Sequence, residues 1–343
     1  MIKINNVFHT IDYHTAGETA RILISGFPPI KCKTMEEKTH YFSRHMDYIR
    51  TALMQEPRGH AGMMGAIITS PACDDADFGA IFMDSRGYHS MCGHVAIAIG
   101  KMMIDMGWIS HLQNNLIKLD TMAGLITLTP EKVGDNMHIS LRNVPSFLHS
   151  KEKVEMEGLG GLNSLHVEIA FGGNFFALVD ARKLGMDLKN ASIKKLVEIG
   201  TFIYKRVGAK ANLRHPLHLE VKSLDVVMIY QPLSQKDVIY KNIVVFGQEE
   251  FDRSPCGTGT SALMASLYAR GILSPGQLFC NESIIGSRFL GRVQEETKVG
   301  DFPAIIPIIS GSAYIMGINQ WIVDPHDTLK YGFNPYEAGR DMQ

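Results

Sequence analysis

Two stretches of this 343-residue chain are apolar or small nearly all the way round: Val95-Ala96-Ile97-Ala98-Ile99-Gly100-Lys101-Met102-Met103-Ile104 and Ser261-Ala262-Leu263-Met264-Ala265-Ser266-Leu267-Tyr268-Ala269. At that length each reads as a helix, and a helix with no wide polar face must be buried by the rest of the molecule. Each follows a Cys-Gly-polar triplet, Cys92-Gly93-His94 in the first case and Cys256-Gly257-Thr258 in the second. The two cysteines lie 164 residues apart, close to half the chain. A duplicated fold explains the pattern, with sheet curved around one cysteine-headed helix in each half.

The length supports that division, because single cores stop growing near 250–300 residues. Short runs at 79–84, 117–120, 125–130, 137–144, 166–171, 224–230, 243–247 and 304–309 read as strands, and further helices are expected over 34–54 and 194–207. With 45% hydrophobic and 20% charged residues the composition is that of a globular protein. A formal net charge of −1 offers no basic footprint for a phosphate backbone, so nucleic acid is not an expected partner. Residues 1–6 lack the apolar centre of a signal peptide and no run reaches bilayer length, so no membrane partner and a cytoplasmic location are expected.

Five scattered cysteines, Cys32, Cys73, Cys92, Cys256 and Cys280, with no C-x-x-C pair, suit neither a disulfide scaffold nor a structural zinc site. His14 and Glu18 do not form a metal motif, and no metal is expected. Gly158-Leu159-Gly160-Gly161-Leu162-Asn163 lacks the strand and helix of a dinucleotide fingerprint and reads as a turn; the nineteen methionines read as core filler. For Cys32, Cys73 and Cys280 the reading is an ordinary small, inert side chain.

Cys92 and Cys256 stand apart because of their place. The first turn of a helix presents unpaired N–H groups and the positive end of the macrodipole, which favours an anion there. Thiols in such settings titrate at roughly 3.5–7.5 rather than about 8.5. The glycine after each cysteine lets a ligand approach the backbone, and the same N–H groups can hold a carboxylate. Two such heads facing one small acid would place its α-carbon between two sulfurs: one thiolate removes the α-proton, the other thiol delivers a proton to the opposite face, and the configuration inverts. An enclosed, dry pocket with fixed donors would have to stabilise the carbanion-like transition state.

Met91-Cys92-Gly93-His94 and Asp252-Arg253-Ser254-Pro255-Cys256-Gly257-Thr258-Gly259-Thr260-Ser261-Ala262 resemble the two signature motifs of the proline racemase family. The likeness extends to Asp12-Tyr13-His14-Thr15-Ala16-Gly17-Glu18, Glu56-Pro57-Arg58-Gly59-His60, Phe171-Gly172-Gly173-Asn174-Phe175-Phe176 and Thr297-Lys298-Val299-Gly300-Asp301. The resemblance implies an α+β fold like that of diaminopimelate epimerase: two pseudo-symmetric lobes, each a curved, mostly antiparallel sheet or barrel around a central helix. The lobes are expected at 1–127 plus 316–343, carrying Cys92, and at 128–315, carrying Cys256. It further implies that Cys92 and Cys256 are alternating acid and base, that Gly93, His94, Gly257 and Thr258 hold the substrate carboxylate or its neighbours, and that Asp252 meets the ring ammonium. No cofactor and a homodimer are implied with it.

Two positions depart from the family pattern. Val95 stands where the family often has glycine, and Met64 stands at a pocket position, before Gly65-Ala66, where proline racemases resemble one another in having phenylalanine. A flexible thioether there leaves room for a ring hydroxyl. Racemisation of proline is therefore the expected reaction, with 4-hydroxyproline 2-epimerisation as the alternative. The stretches 241–262 and 291–297 resemble bacterial proline racemases. A trans-3-hydroxyproline dehydratase, a branch in which the second cysteine is typically replaced, is disfavoured by Cys256. A thiol-based sensor on the same scaffold is the reading from another functional class.

Overall fold

The computed structural model describes residues 6–109, 116–156, 163–208, 213–218, 221–224, 226–234, 236–246 and 250–335. The glycine-rich turn expected at 158–163 lies outside them save for its last residue. By its contacts the chain divides into two compact units, Met1–Ile139 with Ser312–Gln343, and Ser140–Gly311. The sequence reading divides it instead after residues 127 and 315, which fall inside the strands Gly124–Val133 and Ala313–Val323.

In chain order the first unit begins with β1 (Asn6–Thr15), β2 (Glu18–Ser25), α1 (Met35–His45), α2 (Asp47–Met54), β3 (Met64–Thr69), β4 (Phe78–Asp84), β5 (Tyr88–His89), α3 (Gly93–Asp105), β6 (Ile117–Thr121) and β7 (Gly124–Val133). A further strand, β8 (Asn136–Arg142), crosses the division. The second unit holds β9 (Ser146–Glu155), β10 (Ser164–Phe171), β11 (Phe175–Asp180), α4 (Ile193–Gly208), β12 (Val226–Ser234), β13 (Ile239–Phe246), β14 (Glu250–Asp252), α5 (Gly257–Ala269), β15 (Phe279–Ser283), β16 (Arg288–Val299) and β17 (Phe302–Gly311). The last strand, β18 (Ala313–Val323), returns to the first unit.

Within the first unit β18 pairs antiparallel with β1 and β1 with β2; β2 runs parallel to β3, β3 antiparallel to β4, β4 parallel to β6, and β6 antiparallel to β7. Helix α3 packs on β18, β1, β2, β3 and β7, so both ends of this sheet reach it and the sheet must curl round it. In the second unit β9, β10, β11, β12, β13, β15, β16 and β17 pair in that order, with parallel steps at β11–β12 and β13–β15. Pairing of Ala304 and Ile305 with Phe147 and Ser146 then joins β17 back to β9 and closes a barrel, with α5 packed on β9, β10, β11, β16 and β17.

The central helices behave as their composition requires. In α3, Val95, Ala96, Ile97, Ala98, Ile99, Met102 and Met103 are wholly buried, and each larger side chain contributes roughly 1.5–3 kcal/mol by leaving water. Gly100 is a close-approach point: a Cβ there would stand 2.8 Å from Ile139 Cγ2. The expected helix over 34–54 is instead two. Thr34 caps α1 by accepting a hydrogen bond from Glu37 N at 3.1 Å, but Met46 leaves the helical region at φ −135°, ψ 17°, and α2 starts afresh. Among the described residues no helix is long and apolar enough to cross a membrane.

Candidate active site

Both central helices are entered by the same local path. A long strand gives way to a short antiparallel one, β4 to β5 in one unit and β13 to β14 in the other, and a cysteine then caps the helix. The first path turns on Asp84, whose Oδ1 accepts hydrogen bonds from Arg86 N and Gly87 N, both at 2.7 Å. Arg50 Nη1 braces the same turn through the carbonyls of Asp84 and Ser85 at 3.2 and 2.9 Å. Burial alone would raise the Asp84 carboxyl, but His89 and Arg86 outweigh it and hold the group well below the usual carboxylate range. His89 Nε2 stands 3.0 Å from Asp84 Oδ2, an ion-pair distance without hydrogen-bond alignment.

Cys92 caps α3 with extended backbone, φ −140° and ψ 112°, and its carbonyl accepts the first helical bond from Ala96 N at 2.9 Å. Its Sγ lies 3.4 Å from His94 Nδ1. His94 Nε2 lies 3.3 Å from the carbonyl of Thr19, which can only accept, so the ring proton sits on Nε2 and Nδ1 offers its lone pair to the thiol. Burial lowers the His94 imidazole below its ordinary value, and the Glu18 carboxylate partly opposes this. Thr15 Oγ1 ties down the His94 carbonyl at 2.7 Å. Gly93 and Val95 are both buried. Met64 opens β3, half-buried, across the sheet from Asp84.

The second head is built differently. Asp252 ends β14 buried, and its Oδ1 accepts a hydrogen bond from Ser254 N at 2.7 Å. Burial raises its carboxyl to about 6, against the opposing hydrogen bonds of Ser254 and of the Cys256 side chain. Cys256 N donates to Ser254 Oγ at 3.1 Å. Cys256 itself sits at φ 63°, ψ 111°, in a region that side-chain-bearing residues rarely enter, with Sγ 3.7 Å from Thr258 Oγ1. Gly257 opens the helix and Thr258 is buried. At Gly259 an added Cβ would stand 2.6 Å from Met228 Cε, 2.9 Å from Phe176 Cε1 and 3.2 Å from Cys256 Sγ, so a side chain there would press on the sulfur and its neighbours. Gly172 backs onto the same turn, where a Cβ would come within 2.2 Å of the Thr258 carbonyl.

The site residues read from the sequence thus gather in two groups: Cys92, Gly93 and His94, with Met64 in the same unit, and Asp252, Cys256, Gly257 and Thr258. Sequence reasoning did not foresee the Thr19 carbonyl, Ser254 or the Asp84 turn as their supports. His14, weighed as a metal ligand, accepts a hydrogen bond from Gly17 N at 3.3 Å and stacks on Tyr314. Among the described residues no group of three His, Cys, Asp or Glu side chains could hold a metal ion. Cys32, Cys73 and Cys280 are half-buried and form no disulfide.

Residues 10–334 match the family model described as proline racemase. A proline racemase from Acetoanaerobium sticklandii is 44% identical over 97% of this chain and 99% of its own. A trans-3-hydroxy-L-proline dehydratase from Bacillus cereus is 37% identical over 97% of this chain and 99% of its own. Among solved structures, a hydroxyproline epimerase from Agrobacterium vitis with bound trans-4-hydroxy-L-proline superposes with a TM-score of 0.87 at 29% identity, over 97% of this chain and 96% of that one. With these likenesses running nearly from end to end, and both cysteine motifs standing at the heads of buried helices, the chain belongs to the proline racemase family of enzymes.

Proposed function

We propose that this enzyme interconverts L- and D-proline without a cofactor, Cys92 and Cys256 acting in turn as base and acid at the α-carbon. The observation that carries the reading is the pair of helix heads: each offers a sulfur, the first N–H groups of a buried helix, and a proton-accepting group beside the thiol. At Cys92 that group is His94 Nδ1, 3.4 Å away, and at Cys256 it is the Asp252 carboxyl, to which the thiol is hydrogen-bonded. In one direction the thiolate of one cysteine takes the α-proton while the thiol of the other donates to the opposite face; the enzyme is left with the two protonation states exchanged and runs the reverse reaction from there. The N–H groups of Gly93, His94, Gly257 and Thr258 hold the carboxylate, and Asp252 meets the secondary ammonium. The 44% identical relative named proline racemase supports this choice of substrate. A homodimer acting in the cytoplasm goes with the reading.

A second reading, 4-hydroxyproline 2-epimerase, is favoured by Met64, whose thioether leaves more room beside a ring substituent than an aromatic ring does, and by the hydroxyproline-bound relative. Dehydration of 3-hydroxyproline needs only one thiol and leaves Cys256 without a task.

Incubation in heavy water with proline, trans-4-hydroxyproline and trans-3-hydroxyproline, each offered separately, tests both substrate and reaction. Deuterium entering the α-position as optical rotation decays is expected for proline, and should vanish in both Cys92→Ala and Cys256→Ala. Full turnover in either variant would defeat the two-thiol scheme. Turnover confined to the 4-hydroxy substrate would replace the first reading with the second, and Met64→Phe should then shift preference toward proline.

A further inference from the structure

Cys256 holds a strained backbone conformation, and such a conformation persists only where its surroundings over-determine it. The constraint lies one peptide upstream. The carbonyl oxygen of Pro255 accepts three side-chain hydrogen bonds, from Asn242 Nδ2 at 3.2 Å, Asn281 Nδ2 at 3.3 Å and Thr260 Oγ1 at 3.1 Å. All three donors are wholly buried, and Asn281 Nδ2 also donates to Thr260 Oγ1 at 2.9 Å, so the donors support one another. They come from three elements, β13, β15 and α5. A peptide unit is planar with its C=O and N–H opposed, so fixing the oxygen also fixes the direction of Cys256 N–H, which meets Ser254 Oγ. On the other side the Cys256 carbonyl is held by Thr260 N at 2.7 Å. With both flanking peptides pinned, φ and ψ of Cys256 have nowhere to relax.

We propose that Asn242, Asn281 and Thr260 form a clamp on the Pro255 carbonyl that positions the Cys256 thiol; they are positioning residues, distinct from the groups that touch substrate. The inference rests on Cys256 acting as proposed above. Cys92, with relaxed extended backbone, has no need of such a device. Released from the clamp, Cys256 would move toward the extended region and carry its sulfur away from Thr258 Oγ1 and the first N–H groups of α5. The thiol would then lose its helix-head setting while Cys92 kept its own.

The test uses the intact enzyme and iodoacetamide, with the labelling rate of each cysteine followed by peptide mass spectrometry across pH. Thr260→Val removes one donor at nearly constant volume, and Thr260→Ser retains it. In Thr260→Val, labelling of Cys256 relative to Cys92 is expected to fall roughly tenfold, and kcat with it, while KM stays within about twofold. Thr260→Ser should behave as the parent does. Should Thr260→Val not fold, Asn242→Ala removes a different donor and should give the same one-sided loss. Unchanged Cys256 labelling, or equal changes at both cysteines, would overturn the clamp. Because labelling needs no turnover, a parent enzyme that failed to racemise proline would defeat the functional reading and leave this measurement intact.

Discussion

At the head of α3 the cysteine backbone is relaxed and the sulfur faces an imidazole nitrogen 3.4 Å away; at the head of α5 the backbone sits at φ 63° and the sulfur faces a hydroxyl at 3.7 Å and a buried carboxyl. The third residue after the cysteine is Val95 in one and Gly259 in the other, and at the second an added Cβ would stand 3.2 Å from the sulfur. Two helix heads that share a local path therefore reach the same end by different means. One relies on a neutral base close by, the other on an enforced backbone. The two-thiol reaction proposed above requires matched thiols, not matched surroundings.

The largest effect expected is the loss of either sulfur. Cys92→Ser and Cys256→Ser should each lower turnover by roughly 10²- to 10⁴-fold, since a hydroxyl is far too weak an acid to serve as either partner. A tenfold or smaller loss in one of them, measured by polarimetry, would break the equivalence of the two heads. Next comes the contrast between Gly259 and Val95. Gly259→Ala should lower stability by about 1–3 kcal/mol through overpacking and displace the sulfur, cutting kcat as well. Val95→Ala should cost a similar amount, about 1–2 kcal/mol, by opening a cavity, with kcat nearly preserved. Denaturant titration with parallel rate measurements distinguishes the two, and equal rate losses would mean that both third positions press on their sulfurs.

The smallest effects concern pH, and the two heads should respond with opposite sign. His94 is held below its unfolded value of 6.5, so the unfolded chain takes up its proton first and the folded state loses stability as pH falls below 6.5. Asp252 is raised from 3.8 to about 6, so its contribution is complete below pH 3.8 and is lost as pH rises toward 6. His94→Gln should accordingly flatten the acid side of the Tm–pH curve, and Asp252→Asn should raise Tm by a few degrees above pH 6 and by less at pH 4. Melting curves for both variants between pH 4 and 8 check this, and Tm gains that grow in the same pH direction in both would contradict it.

The central helices and their cysteines are legible in the sequence because an all-apolar helix admits one environment, and the position of Cys-Gly at its head follows. Strand β1 is not legible: Thr10, Asp12 and Thr15 are buried there, and Asp12 accepts hydrogen bonds from Thr10 Oγ1 and from Arg21 on the neighbouring strand, each as close as 2.9 Å. Alternation of polar and apolar residues cannot report a strand whose polar face is also enclosed. The break at Met46 is likewise a backbone event without Gly or Pro to mark it. Around the site, local motifs identify Cys256, Gly257 and Thr258, but Asn242 and Asn281 reach the same turn from remote strands and carry no spacing that could announce them.

The return of β18 to the first unit has a consequence for biosynthesis. The segment 140–311 is continuous and can complete its barrel as soon as β17 has emerged. The unit that holds Cys92 begins first but gains the strand that pairs with β1 and packs on α3 only when 313–323 is made. At about 5–20 residues per second the apolar helix at 93–105 waits roughly 10–40 s, with one flank uncovered, for the final strand. A nascent chain stalled in that interval would leave the β18-facing flank of this apolar helix open, a ready target for chaperones.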